Sequence, residues 1–394
     1  MTSIARVLGA GLAMLALSPI AAASAAAPQT DPDAFTPINL TTLSRPAPVF
    51  GSDGRYHVVY EVQAINISGL PWNIRSLRAE GTNGRVYGRW SGKRVRTVFV
   101  AMGSGKPITR LDPGQGGVFH LTFSVARKRD LPRALVNVVS ASNATKPVVG
   151  PPRVSDRTRP SRLVRRAPVV LGPPLRGSNW VAADGCCTAH RHVWATQPYG
   201  GRLQTIQRFA IDWEQLDDQG RLFTGDPKVL TNWFGYGEEE LAVADGTVVH
   251  VLDGLPDQVP GSLPASINPV KADGNSVFLR LDDGRYVAYA HMIPGSLRVK
   301  VGDRVKRGQV LGLLGNSGNS SAPHLHLHVM NAPVVLGANG LPYVFDHFTI
   351  TGRIASTEAF NHAEETGEPA RMGPVVVGPR TNALPLDQVV VTWG

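Results

Sequence analysis

The sequence predicts an all-β protein in two parts, an N-terminal β-sandwich of immunoglobulin-like character and a C-terminal antiparallel β-sheet domain. Three observations carry that prediction. Short segments of alternating apolar and polar residues, rich in β-branched and aromatic types, recur between residues 39 and 352. Gly, Asp, Asn and Pro punctuate them, as at Asp53-Gly54, Asn83-Gly84, Asp245-Gly246 and Asp283-Gly284. No convincing helical period interrupts the first part.

The elements follow in chain order. Arg6, the apolar run Val7 to Ile20 and the small residues Ala21 to Ala27 have the three-part layout of a secretory signal, assigned to residues 1–25. Its apolar core, about 14 residues, falls short of the roughly 20 that span a bilayer as a helix. An exported, soluble mature chain without a transmembrane segment is expected. About 365 residues then remain, enough for two ordinary domains. Residues 39–145 form the sandwich, with strands expected at 57–67, 84–90, 117–125 and 134–140. Residues 146–176, rich in Pro and Arg, compose a basic linker, either a solvated tether or a contact for an anionic wall polymer. Residues 177–352 form the second domain, with strands at 205–213, 247–252, 276–281, 286–291, 310–314 and 324–330. Residues 353–394 show little pattern and read as a peripheral or mobile tail.

Composition narrows the partners. Forty Lys and Arg against thirty Asp and Glu give a net charge of +10. A basic exported protein meets acidic surfaces such as wall polymers or anionic headgroups; no nucleic-acid motif is present. Cys186 and Cys187 are adjacent, which leaves two ordinary thiols, a vicinal bridge, or a Cys187-x-x-His190 metal pair as readings.

The chemistry concentrates in Pro323-His324-Leu325-His326-Leu327-His328. On a strand the three histidines share one face while Leu325 and Leu327 enter the core. Three imidazoles side by side suit a metal ion, with one ligating and a neighbour free to move protons. Asp212, between Ile211 and Trp213, is a costly place for an unpaired carboxylate; a metal or a salt bridge to Arg208 would each explain it. His291 closes the strand that begins at Arg285.

Together these pieces resemble the lysostaphin-type (LytM-like) zinc metallopeptidases. Ala322-Pro323-His324-Leu325-His326 matches that family's His-x-His strand, and Tyr289-Ala290-His291 its other histidine-bearing strand end. Val301 to Gly312 and Gly315-Asn316-Ser317-Gly318 match the usual approach to the His-x-His strand, and Val243 to Val249 an early hairpin. The likeness covers roughly Asp212 to Met330. It implies a zinc (Zn2+) site with Asp212 and His326 as ligands, His291 and His324 as catalytic residues, and a peptidoglycan peptide as substrate.

One departure stands out. The family has a zinc histidine four residues before the aspartate, with a glycine between; here Arg208 and Ala210 occupy those places. A guanidinium has no lone pair to give. His190 is the first candidate for the missing ligand and His192 the second, on a hairpin arm expected to turn at Gly200-Gly201 and lie opposite Asp212. His190-Arg191 with Gln207 to Asp212 is similar to a variant seen in exported relatives, which also carries His at the place of His328. The competing expectation is a zinc-free degenerate module, with Arg208 bridging Asp212, that binds the wall or activates a wall amidase. A lipoyl- or biotinyl-like carrier domain, suggested by Val301 to Gly312, lacks the exposed turn lysine it would need.

Overall fold

Alternation along Tyr56–Asn66 produces a strand with both faces buried. Val58, Tyr60, Val62 and Ala64 enter the core of a two-sheet sandwich, whereas Val59 joins a second core shared with the rest of the chain. The protein is described by a computed structural model, which covers residues 34–146, 150–187, 190–266, 268–334 and 336–394, except for the side chain of His190. The signal assigned to residues 1–25 lies outside the described residues.

In the sandwich, Ile38–Thr42, Tyr56–Asn66, Gly116–Val125 and Phe99–Ala101 form one antiparallel sheet, with Ala47–Phe50 also on Tyr56–Asn66. Arg153–Arg157, Ala134–Asn143, Trp72–Gly81 and Val86–Ser91 form the backbone of the other. Trp72, Leu77 and Val139 from one sheet meet Tyr60, Phe119 and Leu121 from the other in a single apolar cluster.

A larger sheet carries the second part. Its strands run in the order Val169–Leu171, Tyr343–Arg353, Val389–Thr392, Trp180–Ala183, Ile211–Gln215, Leu325–Met330, Tyr286–Met292, Asn275–Leu281, Gly246–Leu252 and Arg304–Val305. Except for the parallel first pair, neighbours are antiparallel. Leu325, Leu327 and Val329 enter the core beneath this sheet, as their spacing predicts.

Three expectations need correction. Residues 146–176 are no free tether over their described length: Arg153–Arg157 pairs with Ala134–Asn143, and Val169–Leu171 runs parallel to Tyr343–Arg353. Basic side chains are compatible with this because an edge strand hydrogen-bonds through its main chain while Arg153 and Arg157 face water. Residues 353–394 are no loose tail. Ser356 caps the helix Thr357–Thr366, whose Gly367 adopts the left-handed terminal conformation, and Val389–Thr392 lies between two strands of the large sheet. Finally, the strand expected at 205–213 is split. Arg202–Thr205 ends a hairpin that does turn at Gly200 and Gly201, and pairing resumes at Ile211.

Candidate metal centre

Neighbouring strands build the site by register. Asp212 sits opposite His326 on one side and Ala183 on the other. Ala290, just before His291, also faces His326. A carboxylate and two histidine-bearing strand ends are therefore brought together by main-chain pairing alone. The strand opposite Asp212 on its far side is Trp180–Ala183, not the arm after residue 190. That arm begins as a single helical turn, His190–Val193, which delivers His192 to the site.

Around Asp212 the contacts are short. His326 Nδ1 lies 2.8 Å from Oδ1, His192 Nε2 3.3 Å from Oδ2, and His324 Nε2 3.5 Å from Oδ1. Each imidazole is oriented from behind. His192 Nδ1 donates to the carbonyls of Asp184 (2.9 Å) and Ala210 (3.2 Å). His291 Nδ1 donates to Ser317 O at 2.7 Å, and His324 Nδ1 to Ala322 O at 2.8 Å. A proton held on Nδ1 leaves the Nε2 lone pair of a neutral ring for the cleft. His326 uses its rings the other way round, with Nδ1 toward Asp212 and Nε2 3.0 Å from His328 Nδ1.

Electrostatics match this geometry. Burial opposes charge on Asp212, yet His192 and His324 hold its carboxyl well below the usual range. Burial likewise disfavours a charged His192, but Asp212 and Asp184 push it up to about 9. The aspartate thus demands a cation beside it. His291 is driven well below the ordinary histidine range by burial and by His324 and His326, so its imidazole is neutral at physiological pH.

The donor set suits zinc. Two overlapping groups, His192 with Asp212 and His326, and His291 with His324 and His326, each place one ligand atom per residue within 4.8 Å of the others. Tetrahedral zinc with bonds of 2.0–2.2 Å spaces nitrogen and oxygen ligands about 3.3 Å apart. The 3.3 Å between His192 Nε2 and Asp212 Oδ2 meets that spacing, and the 2.8 Å between His326 Nδ1 and Asp212 Oδ1 is shorter.

Arg208 is absent from this cluster. It precedes the strand, Phe209 takes a left-handed φ of 69°, and the guanidinium turns away to Glu61 Oε2 at 3.1 Å. The expected salt bridge from Arg208 to Asp212 is corrected by this local turn. Cys186 and Cys187 are joined to each other, so neither offers a thiolate. His190 lies on the helical turn with its side chain outside the described residues. Sequence reasoning missed the supporting groups: the carbonyls of Asp184, Ala210 and Ser317, and Ser320, whose Oγ lies 3.2 Å from His324 Nδ1. The Gly315 to Gly318 segment contains one of them, Ser317. A Cβ on Gly315 would stand 2.5 Å from Ile293 N and 2.8 Å from His291 O, so glycine is what lets this loop reach the strand that carries His291.

Part of the chain is similar to known proteins. Residues 234–338 match Peptidase family M23, a range that contains His291, His324 and His326 but starts after His192 and Asp212. The chain is 34% identical over 93 residues to the cell division protein DipM of Caulobacter vibrioides, covering 23% of this chain and 15% of DipM. It is 47% identical over 58 residues to the glycyl-glycine endopeptidase ALE-1 of Staphylococcus capitis, covering 14% of this chain and 16% of ALE-1. The matches thus span about a sixth of the length of these curated relatives. The catalytic domain of lysostaphin from Staphylococcus simulans aligns at 22% identity, covering 41% of this chain and 88% of its own, with a TM-score of 0.23. Residues 234–338, with the His-x-His strand and its partner histidine inside them, thus match the domain of Peptidase family M23.

Proposed function

We propose that this chain is an exported zinc metalloendopeptidase that hydrolyses peptide bonds of peptidoglycan. The observation that carries the proposal is Asp212 flanked by His192 and His326 at ligand spacing, with His291 and His324 grouped around His326 beside them. We assign Asp212, His326 and His192 as ligands; His192 takes the role first expected of His190, because its ring is oriented toward Asp212 by two carbonyls. Bound zinc would supply Lewis acidity and lower the pKa of a water toward neutrality. Neutral His291, its Nδ1 committed to Ser317 O, would be placed to accept a proton at Nε2 from an attacking water, and His324, whose ring centre lies 4.7 Å away, to stabilise a developing oxyanion or return the proton to the leaving amine. A peptide bond as target is supported by the likeness to the glycyl-glycine endopeptidase ALE-1, peptidoglycan by the resemblance of the His-x-His and Tyr-x-His strands to the lysostaphin-type peptidases, and export by the layout of residues 1–25. The turn of Arg208 toward Glu61 favours this reading over the zinc-free module, which needed Arg208 beside Asp212.

An anionic wall polymer is a further partner in the proposal. A cleft of about 1190 Å³ at the seam is lined by Lys128, Arg133, Arg162 and Arg165 beside Phe50 and Tyr56. Such a mixture suits a charged glycan polymer.

Metal analysis and wall digestion test the proposal together. Purified protein is expected to hold one zinc per chain and to release peptides from purified sacculi. His326→Ala should lose the metal, and His291→Ala should keep it while losing at least 100-fold in turnover. Full lytic activity in His326→Ala would refute the assignment.

A further inference from the structure

We infer that the N-terminal sandwich is part of the metal centre's support, with Glu61 and Arg208 acting as positioning residues for the ligand His192. The inference rests on the zinc reading above.

The strand Tyr56–Asn66 presents Glu61 on its outer face, opposite His120 of the neighbouring strand. Glu61 is fully buried and Arg208 is 4% exposed. The guanidinium reaches Glu61 Oε2 (3.1 Å), Ser44 Oγ (2.6 Å) and Gly340 O (3.2 Å). Ser44 also donates to Glu61. The main chain of Arg208 is held as tightly: a Cβ on Gly340 would lie 2.1 Å from its carbonyl oxygen.

This clamp fixes a strained turn. Phe209 holds a left-handed conformation that a residue with a bulky side chain rarely adopts, and Ala210 N donates to Gln207 O at 2.9 Å to close the bend. The turn aims the Ala210 carbonyl at His192 Nδ1, 3.2 Å away, and delivers Asp212 two residues later. A second contact from the same sandwich face reinforces it. His120 lies over Trp194, two residues after His192, with ring centres 6.1 Å apart.

The path is short and contiguous: sandwich carboxylate, guanidinium, strained turn, carbonyl, ligand imidazole. Outer partners of metal-bound histidines typically account for 10–100-fold in metal affinity. The position that lacks a ligand histidine therefore still serves the centre, through its main chain.

Glu61→Gln and Arg208→Met in the full-length protein, alone and combined, test this. Each is expected to weaken zinc binding by about 10–100-fold in a chelator competition. The double variant should lose no more than the worse single. Cobalt substituted for zinc should show an altered visible spectrum in both single variants. Leu135→Ala, in the sandwich core away from the seam, serves as the control: it should lower the melting temperature of the metal-free protein but leave affinity and spectrum unchanged. Should Arg208→Met fail to fold, the conservative Glu61→Gln carries the test. Wild-type affinity and spectrum in Glu61→Gln would overturn the inference alone. A wild-type chain that binds neither zinc nor cobalt would overturn it together with the zinc reading.

Discussion

Several carboxylates around the peptidase core are buried without full compensation, and Asp273 shows the consequence most simply. Its carbonyl accepts from His291 N at 2.8 Å, while its side-chain Oδ2 is buried with no hydrogen-bond partner. Burial pushes its carboxyl from 3.8 up to about 7. The folded state therefore binds the proton more tightly than the unfolded chain does. Its favourable contribution is complete below about pH 4 and fades as pH rises toward 7. Urea midpoints of the metal-free protein should fall between pH 5 and 7.5, and Asp273→Asn should make that fall shallower; an unchanged slope would count against this origin. At this scale the sequence was partly legible. Asp212, His291, His324 and His326 stood out because ionisable side chains among apolar neighbours need partners. The fate of Arg208 hinged on one left-handed residue, Phe209, and the delivery of His192 on the single helical turn His190–Val193, neither of which the residue types announce.

Elements paired by distant chain segments were the hardest to read. Most strands within the matched domain stand where alternation put them, among them Gly246–Leu252, Asn275–Leu281, Tyr286–Met292 and Leu325–Met330. Each lies beside a neighbour close in sequence or carries a clear period. Val389–Thr392 has neither advantage. It is four residues long, its sheet neighbours begin at Tyr343 and Trp180, and so it read as tail. Yet Val390, Val391 and Trp393 are almost wholly buried. Removing residues 389–394 should cost about 5 kcal/mol, at roughly 1.5–3 kcal/mol per large buried apolar side chain. That is comparable with the whole stability of a typical domain. A truncated chain should melt far below the intact one or fail to accumulate in soluble form; an intact melting transition would show that this strand is dispensable.

Across the whole molecule, charge and shape act together. The net charge of +10 is matched by a seam cleft carrying Lys128, Arg133, Arg162 and Arg165, and no acidic side chain is among its lining residues. If the cleft takes an anionic polymer, sacculus binding should weaken steeply between 50 and 300 mM salt. An Arg162→Ala and Arg165→Ala double variant should bind several-fold more weakly at low salt while cutting a soluble peptide at the wild-type rate. Binding that ignores both salt and these substitutions would rule the cleft out.

The parallel pairing of Val169–Leu171 with Tyr343–Arg353 also sets how far the protein can reach. A slack leash would let a cutting head sweep a sphere around its anchorage, trading effective concentration for range. Here the leash is stitched into the sheet. A grip on the wall through the sandwich would thus expose bonds at one fixed offset, and progress along the mesh would require letting go and landing again.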